Sequence, residues 1–248
     1  MENTGYIALS RQTALRRQLD AIANNMANMN TTGYRRQDVL FTDHLVRTPN
    51  TDSIFRDQVR FVEDFATIND MQQGPVRHTG NTFDVAINDP TVFLSVETPA
   101  GERFSRGGAF ILDAQGQLTN QDGYPVLGDN NAPIFIAPNE SQVTITENGA
   151  IITENGPVGT LKSVSFAEPE KLKRYGSTLW KAPQGLEPEA ADAPKIVQGS
   201  LEGSNVNGIV EMTHLINVQR AYERSNMMIE REDQRIRRTM QMWTQRSA

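Results

Sequence analysis

The sequence predicts an α+β fold: long N- and C-terminal helices packed as a coiled coil, an inserted mainly antiparallel β-domain, and an extended connector. Three observations carry that expectation. Leu15, Leu19, Ile22, Met26 and Met29 step by four, three, four and three residues, the narrow apolar seam of a helix that needs a partner to cover it. Leu215, Tyr222, Ile229, Ile236 and Trp243 recur every seven residues near the other end. Between them, short runs of branched and aromatic residues alternate with turn dipeptides, the pattern of short strands in sequence-adjacent pairs.

Taken in order, residues 1–33 read as the N-terminal helix, whose seam extends back through Gln12 to Ala8. Gly33 can adopt the left-handed conformation that closes a helix. Asn24, Asn25 and Asn28 are poor interior helix formers, so they are expected to serve a purpose, and pairing with groups on a neighbouring chain is the favoured one. Residues 34–75 read as an extended connector with some strand pairing. It holds the apolar stretch from Asp38 to Val46, a turn-rich segment around Pro49-Asn50-Thr51-Asp52, and a strand signal from Val59 to Ile68. Residues 76–195 read as the β-domain, a barrel or a sandwich. Phe83, Val85 and Ile87 alternate, and Asp122-Gly123, Asn148-Gly149 and Asn155-Gly156 are dipeptides that suit two-residue hairpin turns with positive φ at both positions. Pro183, Pro188 and Pro194 mark a loop before residues 196–248, the C-terminal linker and coiled-coil helix, with Asn207 as cap and Glu211 near the positive end of the helix dipole. The companion seam position there reads Met212, Gln219, Asn226, Asp233 and Met240, polar through its middle. Polar groups at such positions fix register and partner number.

The 248 residues carry a net charge of −6, distributed unevenly. Residues 1–48 hold six Arg against four acidic residues and residues 211–248 hold seven Arg against five, so the middle carries −10 against +4 for the ends. Both ends are free of Lys. Arginine as the sole cation suits bidentate pairing with carboxylates at interfaces. A nucleic-acid reader would concentrate basic charge on one face, with aromatic residues interleaved. No run of eighteen apolar residues exists, so no membrane insertion is expected. Cys is absent, which removes disulfides, thiolate nucleophiles and Cys-ligated zinc. His44, His78 and His214 stand in three separate segments without metal-ligand spacing. No phosphate loop, dinucleotide fingerprint or nucleophile elbow is present, and neither a catalytic residue nor a cofactor is expected. A binding module would call for exposed aromatic platforms, yet aromatic residues are 7% and those on strands fall at alternating positions suited to burial.

Asp20-Ala21-Ile22-Ala23-Asn24-Asn25-Met26-Ala27-Asn28 followed by Asn30-Thr31-Thr32-Gly33-Tyr34 resembles the N-terminal signature of the axial proteins of the bacterial flagellum, the rod, hook and hook-associated proteins. Gln198-Gly199-Ser200-Leu201-Glu202-Gly203-Ser204-Asn205-Val206, then Glu211-Met212 and Gln219-Arg220-Ala221-Tyr222-Glu223, resembles their C-terminal signature. Thr79 to Ile87, Arg103 to Gly108 and Gly123 to Gly128 are similar to the core of the rod and hook branch. One departure is Asn88-Asp89-Pro90-Thr91-Val92-Phe93, where relatives carry a Gly-rich turn.

The resemblance implies a structural subunit in the basal-body rod, with distal-rod or hook-type membership as the rival reading. It further implies assembly with other rod subunits, proximal and distal, and with copies of itself. The rod would be a stiff drive shaft across the periplasm that encloses the export channel. Delivery would run through the flagellar type III export apparatus without a cleaved signal. Phe41 and Leu45 resemble the element that the export gate reads in related substrates.

Overall fold

The computed structural model describes residues 2–47, 58–137, 140, 142–191 and 193–246, with side chains described within 7–41, 66–191 and 193–242. The turn-rich segment around Pro49 lies outside the described residues. The chain forms two compact units: one of Met1–Met26, Gln37–Ile68 and Gly208–Ala248, the other of Ala27–Arg36 and Asn69–Asn207.

The first unit holds helix α1 (Glu2–Ala27), strands β1 (Gln37–Arg47) and β2 (Gln58–Asn69), and helix α2 (Gly208–Arg246). β1 and β2 form a two-stranded sheet. The α+β class is what the chain adopts; the coiled coil is not. Among the described residues, polar contacts join α1 and α2 and no interdigitated heptad seam is evident. Ser225 Oγ donates to the Ala8 carbonyl at 3.3 Å, and Gln12 Nε2 donates to Tyr222 Oη at 3.0 Å and Asn226 Oδ1 at 2.6 Å. On α1 the buried positions are Ala8, Ala14, Ala21, Ile22 and Asn25, while Leu15, Leu19 and Met26 are half-buried. Small side chains line that face, so it lacks the large knobs a heptad seam inserts. Met29 lies past the end of α1 and is exposed.

On α2 the buried positions are Glu211, Val218 and Ser225, one residue before the expected Met212, Gln219 and Asn226. Leu215, Tyr222 and Ile229 are half-buried, and the apolar repeat runs out into solvent, with Ile236 exposed. The side chain of Trp243 lies outside the described residues.

The second unit is β throughout. Its strands are β3 (Val76–His78), β4 (Val85–Ile87), β5 (Val92–Thr98), β6 (Gly101–Ser105), β7 (Phe110–Leu112), β8 (Leu118–Asn120), β9 (Val143–Ile145), β10 (Ala150–Thr153), β11 (Gly156–Thr160) and β12 (Ser163–Ser165). After a 3-10 turn at Pro169–Lys171 come β13 (Lys173–Tyr175), β14 (Leu179–Lys181), β15 (Glu189–Ala190), β16 (Ile196–Gln198) and β17 (Ser200–Glu202). The largest sheet has the order β13-β14-β6-β5-β12-β15 and is open, with antiparallel neighbours. β11-β10-β9 form a three-stranded antiparallel sheet. Three antiparallel pairs complete the unit: β16 with β4, β17 with β3, and β7 with β8.

Both faces of the large sheet are covered, so β5 reads as a continuous apolar run. Val92, Leu94 and Val96 enter one core with Phe110, Leu118, Ile136 and Ile151. Phe93, on the other face, packs with Phe104, Val164, Phe166, Leu172 and Trp180. Phe166 stands edge-on to Phe104 and Phe93, at centroid distances of 4.9 and 5.7 Å. Such edge contacts add about 0.5–1.5 kcal/mol beyond area burial.

The turn dipeptides mark real reversals, but by another geometry. Asp122, Asn148 and Asn155 keep negative φ, so these are not the two-residue turns with positive φ at both positions. In the β9–β10 hairpin the Gly149 amide donates to the Thr146 carbonyl at 2.9 Å, and Gly149 alone takes positive φ, at 83°. Gly thus closes the turn as its fourth residue, the arrangement of longer hairpin loops.

Candidate functional site

The two terminal signatures lie far apart in sequence and meet in the second unit at one carboxylate, Glu202, which is 1% exposed. β17 carries it into the unit by pairing with β3, with Glu202 opposite Val76. Its Oε2 accepts both Arg106 Nε at 2.9 Å and Nη2 at 2.6 Å, two charge-assisted bonds converging on one oxygen. Its Oε1 accepts the Gly74 amide at 3.0 Å and contacts Arg35 Nη1 as an ion pair. The Glu202 carbonyl accepts the Gly33 amide at 2.9 Å. One residue of the C-terminal signature therefore holds Gly33 and Arg35 of the N-terminal segment directly.

Arg106 is saturated on its other edge. Nη1 donates to the carbonyls of Asp89 at 2.6 Å and Val92 at 2.5 Å, and Nη2 to that of Ile87 at 3.0 Å. The segment that departs from the Gly-rich pattern is what presents those carbonyls. Asp89 Oδ1 accepts the Thr91 amide at 2.9 Å and the Thr91 hydroxyl at 2.7 Å, so an Asx turn replaces glycine. Those two bonds hold the Asp89 carboxyl below its ordinary pKa. Arg35 is fully buried, and its Nε and Nη2 have no hydrogen-bond partner among the described residues. Burial pushes its pKa down to about 10, against the pull of Glu202.

A second layer of contacts secures the same junction. Asn205 Oδ1 accepts the Arg36 amide at 2.6 Å, while Nδ2 donates to the carbonyls of Asp70 at 2.9 Å and Gln72 at 3.1 Å. Gln198 ties three segments: Nε2 donates to the carbonyls of Thr82 and Val143, and Oε1 accepts the Ile145 amide at 3.1 Å. Tyr34 is buried under the Arg174 guanidinium, 4.3 Å from its ring centroid, and Arg174 also stands 4.9 Å from Trp180. Replacing Asn205 by Ala removes three bonds to main-chain groups and is expected to lower stability by about 1–3 kcal/mol, read as a lower denaturation midpoint at unchanged m-value.

The remaining signature residues serve nearer partners. Gly33 does not close α1, which ends at Ala27; its φ of 67° lets it approach Arg106 and Gly107. Asn25, buried in the first unit, brackets Gln37: Nδ2 donates to its carbonyl at 2.9 Å and Oδ1 accepts its amide at 3.0 Å. Asn25 Nδ2 also reaches Glu211 Oε2 at 3.4 Å. Asn24 donates to the Asp20 carbonyl, and Asn28 Oδ1 accepts from the Thr31 hydroxyl at 3.2 Å. These amides are engaged within the chain. Asn30 and Gln219 are exposed, Ala221 is half-buried, and Ser204 Oγ accepts the Val206 amide at 3.2 Å. Gly199 takes positive φ between β16 and β17. Phe41 is half-buried on β1, and the Leu45 side chain lies outside the described residues.

Sequence reasoning missed Arg35, Arg106 and Arg174. Arg106 stands between Phe104-Ser105 and a Gly pair, and Arg35 follows Gly33-Tyr34; a cation set among small and aromatic residues was the available signal. Nothing in the arrangement is poised for chemistry. Its polar groups are mostly spent on one another, and among the described residues no group of three or more acidic or His side chains could hold a metal ion. Within the second unit, the arrangement locks the segment of residues 33–36 to that of residues 202–205.

Comparison with known proteins accords with that reading. Residues 6–35 match the family described as flagella basal body rod protein, 89–153 the flagellar hook protein FlgE/F/G D1 domain, and 197–242 the flagellar basal body rod FlgEFG protein C-terminal family. The chain is 37% identical over 224 residues to flagellar basal-body rod protein FlgF of Caulobacter vibrioides, covering 90% of each chain. It is 36% identical over 230 residues to FlgF of Mesorhizobium japonicum, again with 90% of each covered. To the rod protein FlgG of Agrobacterium fabrum it is 34% identical over 251 residues, spanning 92% of this chain and 94% of the relative. Matches at both ends and in the middle, in this order and at this coverage, place the chain in the family of flagellar basal-body rod proteins, with FlgF among its members.

Proposed function

We infer that this chain is a structural subunit of the proximal part of the flagellar basal-body rod, and that it assembles with other rod proteins into the shaft that carries motor torque across the periplasm around the export channel. The geometric observation that supports a load-bearing role is the Glu202 junction. Within the β unit, Arg35, Gly74, Arg106 and Glu202 meet in one buried ion-pair network, a fixed point at which load can be borne. The chain holds no Cys, so any load is borne by non-covalent contacts. Entry through the flagellar type III apparatus fits this role, with Phe41 and Leu45 as the element the export gate would read. Among the described residues no helix is long and apolar enough to cross a membrane.

Electron microscopy of basal bodies from a strain lacking this chain tests the reading. The expected result is a rod that stops short, with no hook assembled beyond it and no motility. Complete rods in motile cells would sink it.

A further inference from the structure

In the first unit, α1 and α2 enclose a groove of about 370 Å³ at the level where Ser225 bonds to the Ala8 carbonyl. Ala8, Ala221 and Met228 form its apolar part, and Arg11 and Arg224 line it as well. Neither guanidinium has a carboxylate partner among the described residues; Arg224 Nε donates to the Arg220 carbonyl. A groove of this character fits an apolar side chain flanked by carboxylates.

α2 itself displays such a ridge. Glu223, Met227 and Glu230 are spaced i, i+4, i+7 and so fall on one face. All three are exposed, Met227 at 47%. The groove residues Ala221, Arg224 and Met228 are also spaced on one face, and at 100° per residue the two faces are centred about 125° apart around the helix, so they are separate but not opposite. We propose that the Glu223–Met227–Glu230 ridge of one copy seats in the Arg11–Arg224 groove of the next. Donor and acceptor surfaces differ, so the contact is heterologous. Repeating it does not close a dimer; it extends a ring or an open helical row. This rests on the rod reading and adds a specific partner to it: a second copy of this chain, in a stated direction.

The absence of native Cys makes a direct test possible in the full chain. Ala221→Cys marks the groove and Met227→Cys marks the ridge, as two separate proteins oxidised alone and mixed. The expected result is a disulfide-linked product in the mixture and little in either protein alone. In the mixture, Arg11→Glu with Arg224→Glu on the groove copy should lower the yield about tenfold, as two flanking ion pairs are lost and repulsion replaces them. Glu223→Arg with Glu230→Arg on the ridge copy should restore it. No mixed product, cross-linking of Ala221→Cys with itself, or failure of the reversed pair to restore the yield overturns the proposal. A chain that completes the rod in cells yet gives no mixed product would refute the groove contact and leave the rod reading standing.

Discussion

Replacing Glu202 by Ala is expected to destabilise the protein by about 3–5 kcal/mol, the cost of leaving buried cations without their counter-charge. Arg35 and Arg106 both have fully buried side chains, and Glu202 is the acidic group in direct contact with each. Removing it also strands the Gly74 amide, which Oε1 accepts at 3.0 Å. Neither guanidinium can reach water without opening the strands around it. Glu202→Gln keeps the shape and can still accept from Gly74, but leaves the charge of the arginines uncompensated, so it should fall between wild type and Ala. The readout is the midpoint of urea or thermal unfolding, followed by near-UV signal from Trp180, which is buried in the same unit. A loss below about 1 kcal/mol for Glu202→Ala would place this pair among those whose desolvation cancels their attraction, and the junction would not be the anchor it is taken for. The double variant Arg106→Met with Glu202→Leu separates the two contributions: recovery of part of the loss would identify the unpaired charge, not lost packing, as the cause.

The sequence made some of this legible and not the rest, for reasons that can be traced to single residues. Helix α2 was readable because Leu215, Tyr222, Ile229 and Ile236 repeat without a helix breaker over its length. The residues that it buries were not, since Glu211 and Ser225 are polar and only Val218 between them carries an apolar signal. A periodicity argument counts apolar side chains, and a helix face buried through Ser, Ala and Glu is invisible to it. The same bias produced the coiled-coil expectation from Leu15, Leu19 and Met26, which are only half-buried. The strands of the β unit were signalled by alternation where one face is solvated. At β5 the signal was a continuous run, because Leu94 and Phe93 enter separate cores on opposite faces. Glu202 stood inside a motif, but its partners Arg35 and Arg106 lie in segments distant in sequence, and no local pattern links them. Long-range pairing of this kind is a property of topology.

Gly33→Ala should be nearly as damaging as loss of Glu202, by a different mechanism. Gly33 has φ of 67°, and an added Cβ would sit 2.5 Å from both the Arg106 carbonyl carbon and the Gly107 nitrogen. Those are backbone atoms, so no side-chain rotation can relieve the contact. The left-handed conformation alone costs a non-glycine residue about 1–2 kcal/mol. Overpacking against fixed backbone adds about 1–3 kcal/mol more. The position cannot shift freely either, because the Gly33 amide is committed to the Glu202 carbonyl at 2.9 Å. Gly80 supplies the control: its φ is 75°, but nothing lies within 4 Å of where a Cβ would stand. Gly80→Ala should therefore show the conformational part alone, about 1–2 kcal/mol, and Gly33→Ala should exceed it by the packing part. Equal losses at the two sites, measured by urea unfolding of the full chain, would mean that the approach of residue 33 to Arg106 is loose in solution. A larger loss at Gly33 would show that the N-terminal signature keeps its glycine for contact with the Arg106–Gly107 backbone just after β6, with helix termination a role left to residues nearer Ala27.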